Sequence, residues 1–195
     1  MNELAIASLA GYLLGSVPFG LVLTRMAGLG DIRSIGSGNI GATNVLRTGN
    51  KGLALATLIL DSSKGAIAAL LALHFLGTMA GLLAGVLAVL GHNFPIWLGF
   101  KGGKGVATSF GTLLVLSWQA GLCAAATWLL VAFIFRYSSL AALVALALAP
   151  FYAWYFSGNE VGMAVGFLGL LGIAMHHANI SRLIAGTEGK IGKKN

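Results

Sequence analysis

Apolar residues run along this chain in long blocks rather than in the short alternations of a soluble fold. From Gly65 to Phe100 there is no Asp, Glu, Lys or Arg, and from Gly105 to Phe135 there is again none. A helix crosses a hydrocarbon core of about 30 Å with about 20 apolar residues. The blocks predict seven membrane-spanning helices, near 4–24, 53–74, 79–96, 105–117, 120–135, 140–156 and 161–178. Gly77-Thr78, Ser117 to Gly121 and Ser157-Gly158-Asn159 mark turns between them. The expected fold class is an all-α polytopic membrane protein, with one integral-membrane domain over residues 1–195.

The run from Gly105 to Phe135 is where the count is open. As one helix it would be about 46 Å long, beyond the hydrocarbon core, and as two helices each is short. Charge decides. With seven spans and an outside N-terminus, Arg25, Arg33, Arg47, Lys51, Lys101, Lys104, Arg136, Arg182, Lys190, Lys193 and Lys194 fall on one side. Of the 12 Lys and Arg, only Lys64 then lies within a span. With six spans, Arg136 and the basic tail would cross to the other side. The positive-inside rule favours seven, with the C-terminus and the long basic loops cytoplasmic. The short fourth and fifth helices then need tilt, local thinning or shielding by neighbours.

Composition agrees with the pattern. Hydrophobic residues make up 57% of the chain and charged residues 9%, too few to cover a soluble surface. The net charge of +7 would suit nucleic acid, but the cations flank apolar spans, so no nucleic-acid partner is expected. Met1-Asn2-Glu3 lacks the basic start of a signal peptide, and the lone Cys123 can form no internal disulfide. Among 29 glycines, the pairs Gly81/Gly85 and Gly162/Gly166 have the four-residue spacing of close helix packing. No internal repeat is evident, so a symmetric transporter gains no support.

Polar chemistry gathers in three clusters on the same predicted face. The first runs from Gly30 to Arg47 and holds Ser37, Asn39, Thr43, Asn44 and Arg47 among closely spaced glycines, a set of donors suited to an oxyanion. Gly36-x-Gly38-x-x-Gly41 formally matches a dinucleotide fingerprint, but no strand precedes it and Asp61 lies inside an apolar helix. The second cluster starts at His92 and continues through Lys101-Gly102-Gly103-Lys104-Gly105 into a helix. It lacks the Walker spacing. It does offer glycine amides, two lysines and the positive end of a helix to a phosphate. The third is His176, Asn179 and Arg182, three residues apart on one helix face, followed by Glu188. Asp61 and Lys64 lie three apart within the second span, where they either pair with each other or serve the site. Ser139 opens the sixth span as a helix cap or a further donor. No His, Cys or carboxylate cluster has metal-ligand spacing, so neither a metal nor another cofactor is expected.

The motifs GSVPFG (Gly15–Gly20), DIRSIGSGNIGATNVLR (Asp31–Arg47), GHNFPIWLGFKGGKGVAT (Gly91–Thr108) and HHANISRLIAGTE (His176–Glu188) occur in this order. In them the chain resembles, over essentially its whole length, the bacterial acyl-phosphate:glycerol-3-phosphate acyltransferases. The resemblance implies a seven-span inner-membrane enzyme of phospholipid synthesis, with its active site at the cytoplasmic face. It would acylate the 1-hydroxyl of glycerol 3-phosphate from a fatty acyl phosphate, without CoA or acyl carrier protein, and release lysophosphatidate and inorganic phosphate. The expected catalytic residues are His176, Lys104 and Asn179. Expected substrate contacts are Ser37, Asn39, Thr43, Asn44, Arg47, His92, Lys101, Gly102, Gly103, Gly105 and Ser139. Membrane lipid is the surrounding partner. The general base is His176 or an oxygen of the acyl phosphate itself, since no nucleophile–base–acid order is evident. An anion transporter is the rival class. It would line both membrane halves with polar groups, and the turns on the other face are nearly featureless. A phospholipid headgroup transferase would want a metal-binding carboxylate cluster, and Asp31, Asp61 and Glu188 are scattered.

Overall fold

The computed structural model describes residues 3–192, and among these it contains helices and loops but no β-strand. Lys193 and Lys194, two of the cations in the charge argument, lie outside the described residues. The chain divides into two compact units, Met1–Thr112 and Leu113–Asn195.

The first unit holds α1 (Glu3–Gly15), α2 (Phe19–Met26), the short α3 (Ala42–Val45), α4 (Lys51–Leu76), α5 (Thr78–Asn93) and most of α6 (Val106–Leu116). The expected first span is broken at Ser16-Val17-Pro18, because proline has no N–H to continue the helical ladder. Helices here meet backbone to backbone. A Cβ on Gly11 or Gly15 would run into the backbone of Ala84 or Ala88, and one on Gly91 into the Tyr12 carbonyl. The core of this contact is alanine: Ala7, Ala68, Ala72, Ala80, Ala84 and Ala88. Gly81 packs on Leu73, and Gly85 on Ala69 and Thr112, so this glycine pair is a packing stripe.

The second unit holds the end of α6, α7 (Trp118–Phe135), α8 (Ser138–Met175) and α9 (His177–Ile184). Within α8, Gly158 has φ 82° and ψ −171°, a conformation reserved for glycine, and the chain folds back there. Gly162 faces Trp154, Gly166 faces Pro150 and Gly172 faces Leu146. One number rises as the other falls, so the two halves of α8 run antiparallel. Ser157 Oγ donates to Ser117 Oγ at 2.7 Å and ties this turn to the start of α7.

Large apolar side chains point outward. Phe133 is 85% exposed and Tyr155 79%, with Phe75, Leu129 and Leu170 also exposed. Small residues inside and large apolar ones outside invert the soluble pattern, as expected where the solvent is lipid. Among the described residues, five stretches are long and apolar enough to cross a membrane: Glu3–Met26, Lys51–Leu76, Thr78–Leu98, Trp118–Phe135 and Ser138–Met175. The expected seven differ at two places. The fourth expected span is α6, an apolar helix of 11 residues, and the sixth and seventh are the two halves of α8.

Candidate active site

The first polar cluster is a folded loop rather than a solvated connector. Asp31 accepts from Arg25 Nη2 at 2.8 Å, from Arg33 Nη2 at 2.6 Å and from the Arg33 amide at 3.0 Å. The hydrogen bonds from Arg33, above all, hold its carboxyl well below the usual carboxylate range. Ile32, Ile40 and Val45 anchor the loop in a small core with Leu21 and Ala54. Asn44 is buried at its centre. Its Nδ2 donates to the carbonyls of Ile32, Ile35 and Asn39 at 2.8–3.0 Å, and its Oδ1 accepts from the Ser37 amide at 3.1 Å. Asn39 Oδ1 accepts from the Gly41 amide. Expected as a substrate contact, Asn44 in fact spends its amide on the loop's own backbone. That leaves Ser37, Thr43 and Arg47 exposed. A Cβ on Gly36 would meet the Arg47 side chain, so the guanidinium lies against the turn that carries Ser37.

The second cluster joins α5 to α6. The amide of Gly102 donates to the Asn93 carbonyl at 3.1 Å, and that of Gly103 to the His92 carbonyl at 3.0 Å. These two glycine amides were expected to face a ligand; they close the loop instead. Gly103 has no Cβ because the His92 imidazole occupies that space. Gly105 has φ 78°, a left-handed conformation, and its carbonyl accepts the Ser109 amide, the first helical bond of α6. The amides of Val106, Ala107 and Thr108 precede that bond and form the positive end of the helix, with Lys104 two residues before it. Lys101 is exposed. His92 is buried, with Nδ1 2.7 Å from Lys64 Nζ. Asp61 and Lys64 pair with each other at 3.0 Å.

The second unit carries the third cluster. His176 follows the end of α8 and is buried. Its Nδ1 lies 2.6 Å from the Gly172 carbonyl and donates to it, so in the neutral form the ring's lone pair is on Nε2. His177, by contrast, is exposed. Glu188 is the organiser that sequence reasoning left out of the candidate set. Its Oε1 accepts from Ser139 Oγ at 2.8 Å and Asn179 Nδ2 at 2.7 Å, and its Oε2 accepts from Arg182 Nε at 2.7 Å. Burial pushes the Glu188 carboxyl up, but these three donors outweigh it and hold the group below its ordinary value. The only sequence signal was the Gly186-Thr187 turn, which brings Glu188 back toward α9. Ser139 thus joins the cluster of His176's helix end as an oriented hydroxyl.

These features define a class: an integral-membrane helical protein with two basic glycine-rich loops in one unit and a His–Asn–Glu cluster in the other. The chain belongs to the glycerol-3-phosphate acyltransferase family, whose model matches residues 5–186. It is 65% identical to the glycerol-3-phosphate acyltransferase of Rhodospirillum rubrum, over 98% of this chain and 92% of that one. It is 63% identical to that of Paramagnetospirillum magneticum, over 100% and 96% of the two chains. Among solved structures it is similar to PlsY, described as an integral membrane glycerol 3-phosphate acyltransferase. The glycerol 3-phosphate form superposes with a TM-score of 0.93 at 36% identity, covering 98% of this chain and 96% of that one. The lysophosphatidic acid form gives 0.91 at 35%, with the same coverage.

Proposed function

We propose that this acyltransferase moves a fatty acyl group from an acyl phosphate to the 1-hydroxyl of glycerol 3-phosphate, giving lysophosphatidate and inorganic phosphate. The hydroxyl oxygen attacks the acyl carbon, and the carbon–oxygen bond to phosphate breaks. The hydroxyl proton passes to His176 Nε2 or to an oxygen of the departing phosphate. The observation that carries the proposal is the likeness, over nearly the whole chain, to a protein solved in both a glycerol 3-phosphate and a lysophosphatidic acid form. These molecules differ by one acyl group, so they are acceptor and product of a single transfer.

Two phosphates need many donors. The proposal assigns Arg47, Ser37, Asn39 and Thr43 on the first loop, and Lys101, Lys104 and Gly105 with the α6 amides on the second, to phosphate oxygens. Asn44, His92, Gly102 and Gly103 shape those loops. Asn179 and Ser139, oriented by Glu188, contact substrate beside His176. A mixed anhydride is already activated, so holding hydroxyl and carbonyl together supplies much of the acceleration. Donors aimed at the developing oxyanion supply more. The proposal further places the whole chain as one domain of seven spans in a bacterial inner membrane. Its N-terminus is outside and its C-terminus and active site are cytoplasmic.

The test uses purified protein with palmitoyl phosphate and glycerol 3-phosphate. Lysophosphatidate and phosphate should appear in equal amounts without CoA, acyl carrier protein or added metal. Loss of activity with a chelator, or equal turnover with acyl-CoA, would overturn the donor assignment.

A further inference from the structure

The first unit buries a polar chain that the proposed reaction does not use. Asp61 and Lys64 stand one turn apart on α4, their side chains 2% and 1% exposed, and meet at 3.0 Å. Lys64 Nζ also donates to the Val17 carbonyl at 3.0 Å, at the break between α1 and α2. It also lies 2.7 Å from His92 Nδ1. Asp61 Oδ1 is 3.7 Å from that same nitrogen, too far to be its hydrogen-bond partner. A buried charge needs one counter-charge. The ion pair satisfies that need, and the histidine contact is additional.

That contact has a direction. An ammonium has three donors and no acceptor, so Lys64 donates and His92 Nδ1 accepts. A neutral imidazole accepting at Nδ1 carries its proton on Nε2. The Nε2 edge faces Gly103, where a Cβ would collide with Nε2, Cε1 and Cδ2. The positive end of an N–H dipole is therefore turned toward the glycine-lysine loop. The opposite tautomer would turn a lone pair toward it and repel an anion there.

We propose that Lys64, balanced by Asp61, is a positioning residue that locks His92 as its Nε2–H tautomer and so favours phosphate at the Gly102–Gly105 turn. This rests on the phosphate-binding role given to that turn above.

The experiment pairs a spectroscopic with a kinetic measurement. Asp61→Leu/Lys64→Met removes both charges at once and leaves no unpaired ion. Protein labelled with 15N-histidine reports the His92 tautomer without any substrate, its signals assigned by their loss in His92→Gln. The native protein should show Nε2–H, and the double variant a population with the proton on Nδ1. KM for glycerol 3-phosphate should rise about tenfold, with kcat changed less than about threefold. Should the double variant fail to fold, two single variants serve. His92→Gln, which keeps a donor near the Nε2 position, should hold KM within about threefold, and His92→Leu should raise it about tenfold. A native Nδ1–H ring, an unchanged KM in the folded double variant, or equal KM values in the two single variants would overturn the proposal. If the native protein transfers no acyl group, the reaction assignment fails instead. Titration with inorganic phosphate, read on the His92 signals, then tests the tautomer proposal by itself: weaker binding in the double variant supports it and equal binding overturns it.

Discussion

Lys104 stands between Gly103 and Gly105, two residues ahead of the first-turn amides of α6, where an ammonium adds to a positive helix end. Lys104→Ala should leave the helices intact and lower kcat/KM at least about tenfold, or about 1.4 kcal/mol, the low end for a hydrogen bond to a charged group. Lys104→Arg should restore activity only in part, because a guanidinium fork is wider than an ammonium. Initial rates with varied glycerol 3-phosphate check both, and near-native rates in the alanine variant would remove Lys104 from the site. At this scale the types of residue were legible and their contacts were not. Asn44 reads as a ligand donor, yet its amide is consumed by three backbone carbonyls. An irregular loop has no period to say which side chains turn inward. The Gly186-Thr187 turn hinted at Glu188, but nothing local pointed to Ser139, a partner 49 residues away.

Helices α4, α5 and α7 are apolar almost all round, so hydrophobic periodicity could not show which face packs. The turns could be seen because their residues are polar or small. Ser157-Gly158-Asn159 marked the reversal inside α8, and the structure puts glycine-only dihedrals at Gly158. A Cβ at Gly158 would touch nothing within 4 Å. Gly158→Ala therefore tests backbone strain alone, at about 1–3 kcal/mol. We expect it to lower the thermal midpoint in detergent and to leave KM unchanged. A stability equal to the native protein would mean that the turn adopts another conformation. The break at Ser16–Pro18 went unread, since a proline near the end of an apolar run resembles an ordinary span boundary. It matters because it presents the Val17 carbonyl to Lys64.

For the whole molecule, membrane residence and helical class followed from the hydrophobic blocks, while the count of crossings depended on charge placement. Single cysteines introduced at Lys51 and Lys101 in a Cys123→Ser background should react with an impermeant maleimide from the cytoplasm, and those at Thr78 and Asn159 from outside. Finding Lys101 and Thr78 on one side would refute the seven-span orientation. The alanine and glycine interior described above has a consequence for how such a chain can change over time. Where Gly11, Gly15 and Gly91 meet backbone, even one added methyl has nowhere to go. On the outside, a lipid tail distinguishes poorly between leucine, phenylalanine and isoleucine. Random substitution should therefore cost least at the exposed bulky apolar residues and most at these buried glycines, an outcome that a substitution scan read by folded yield would check.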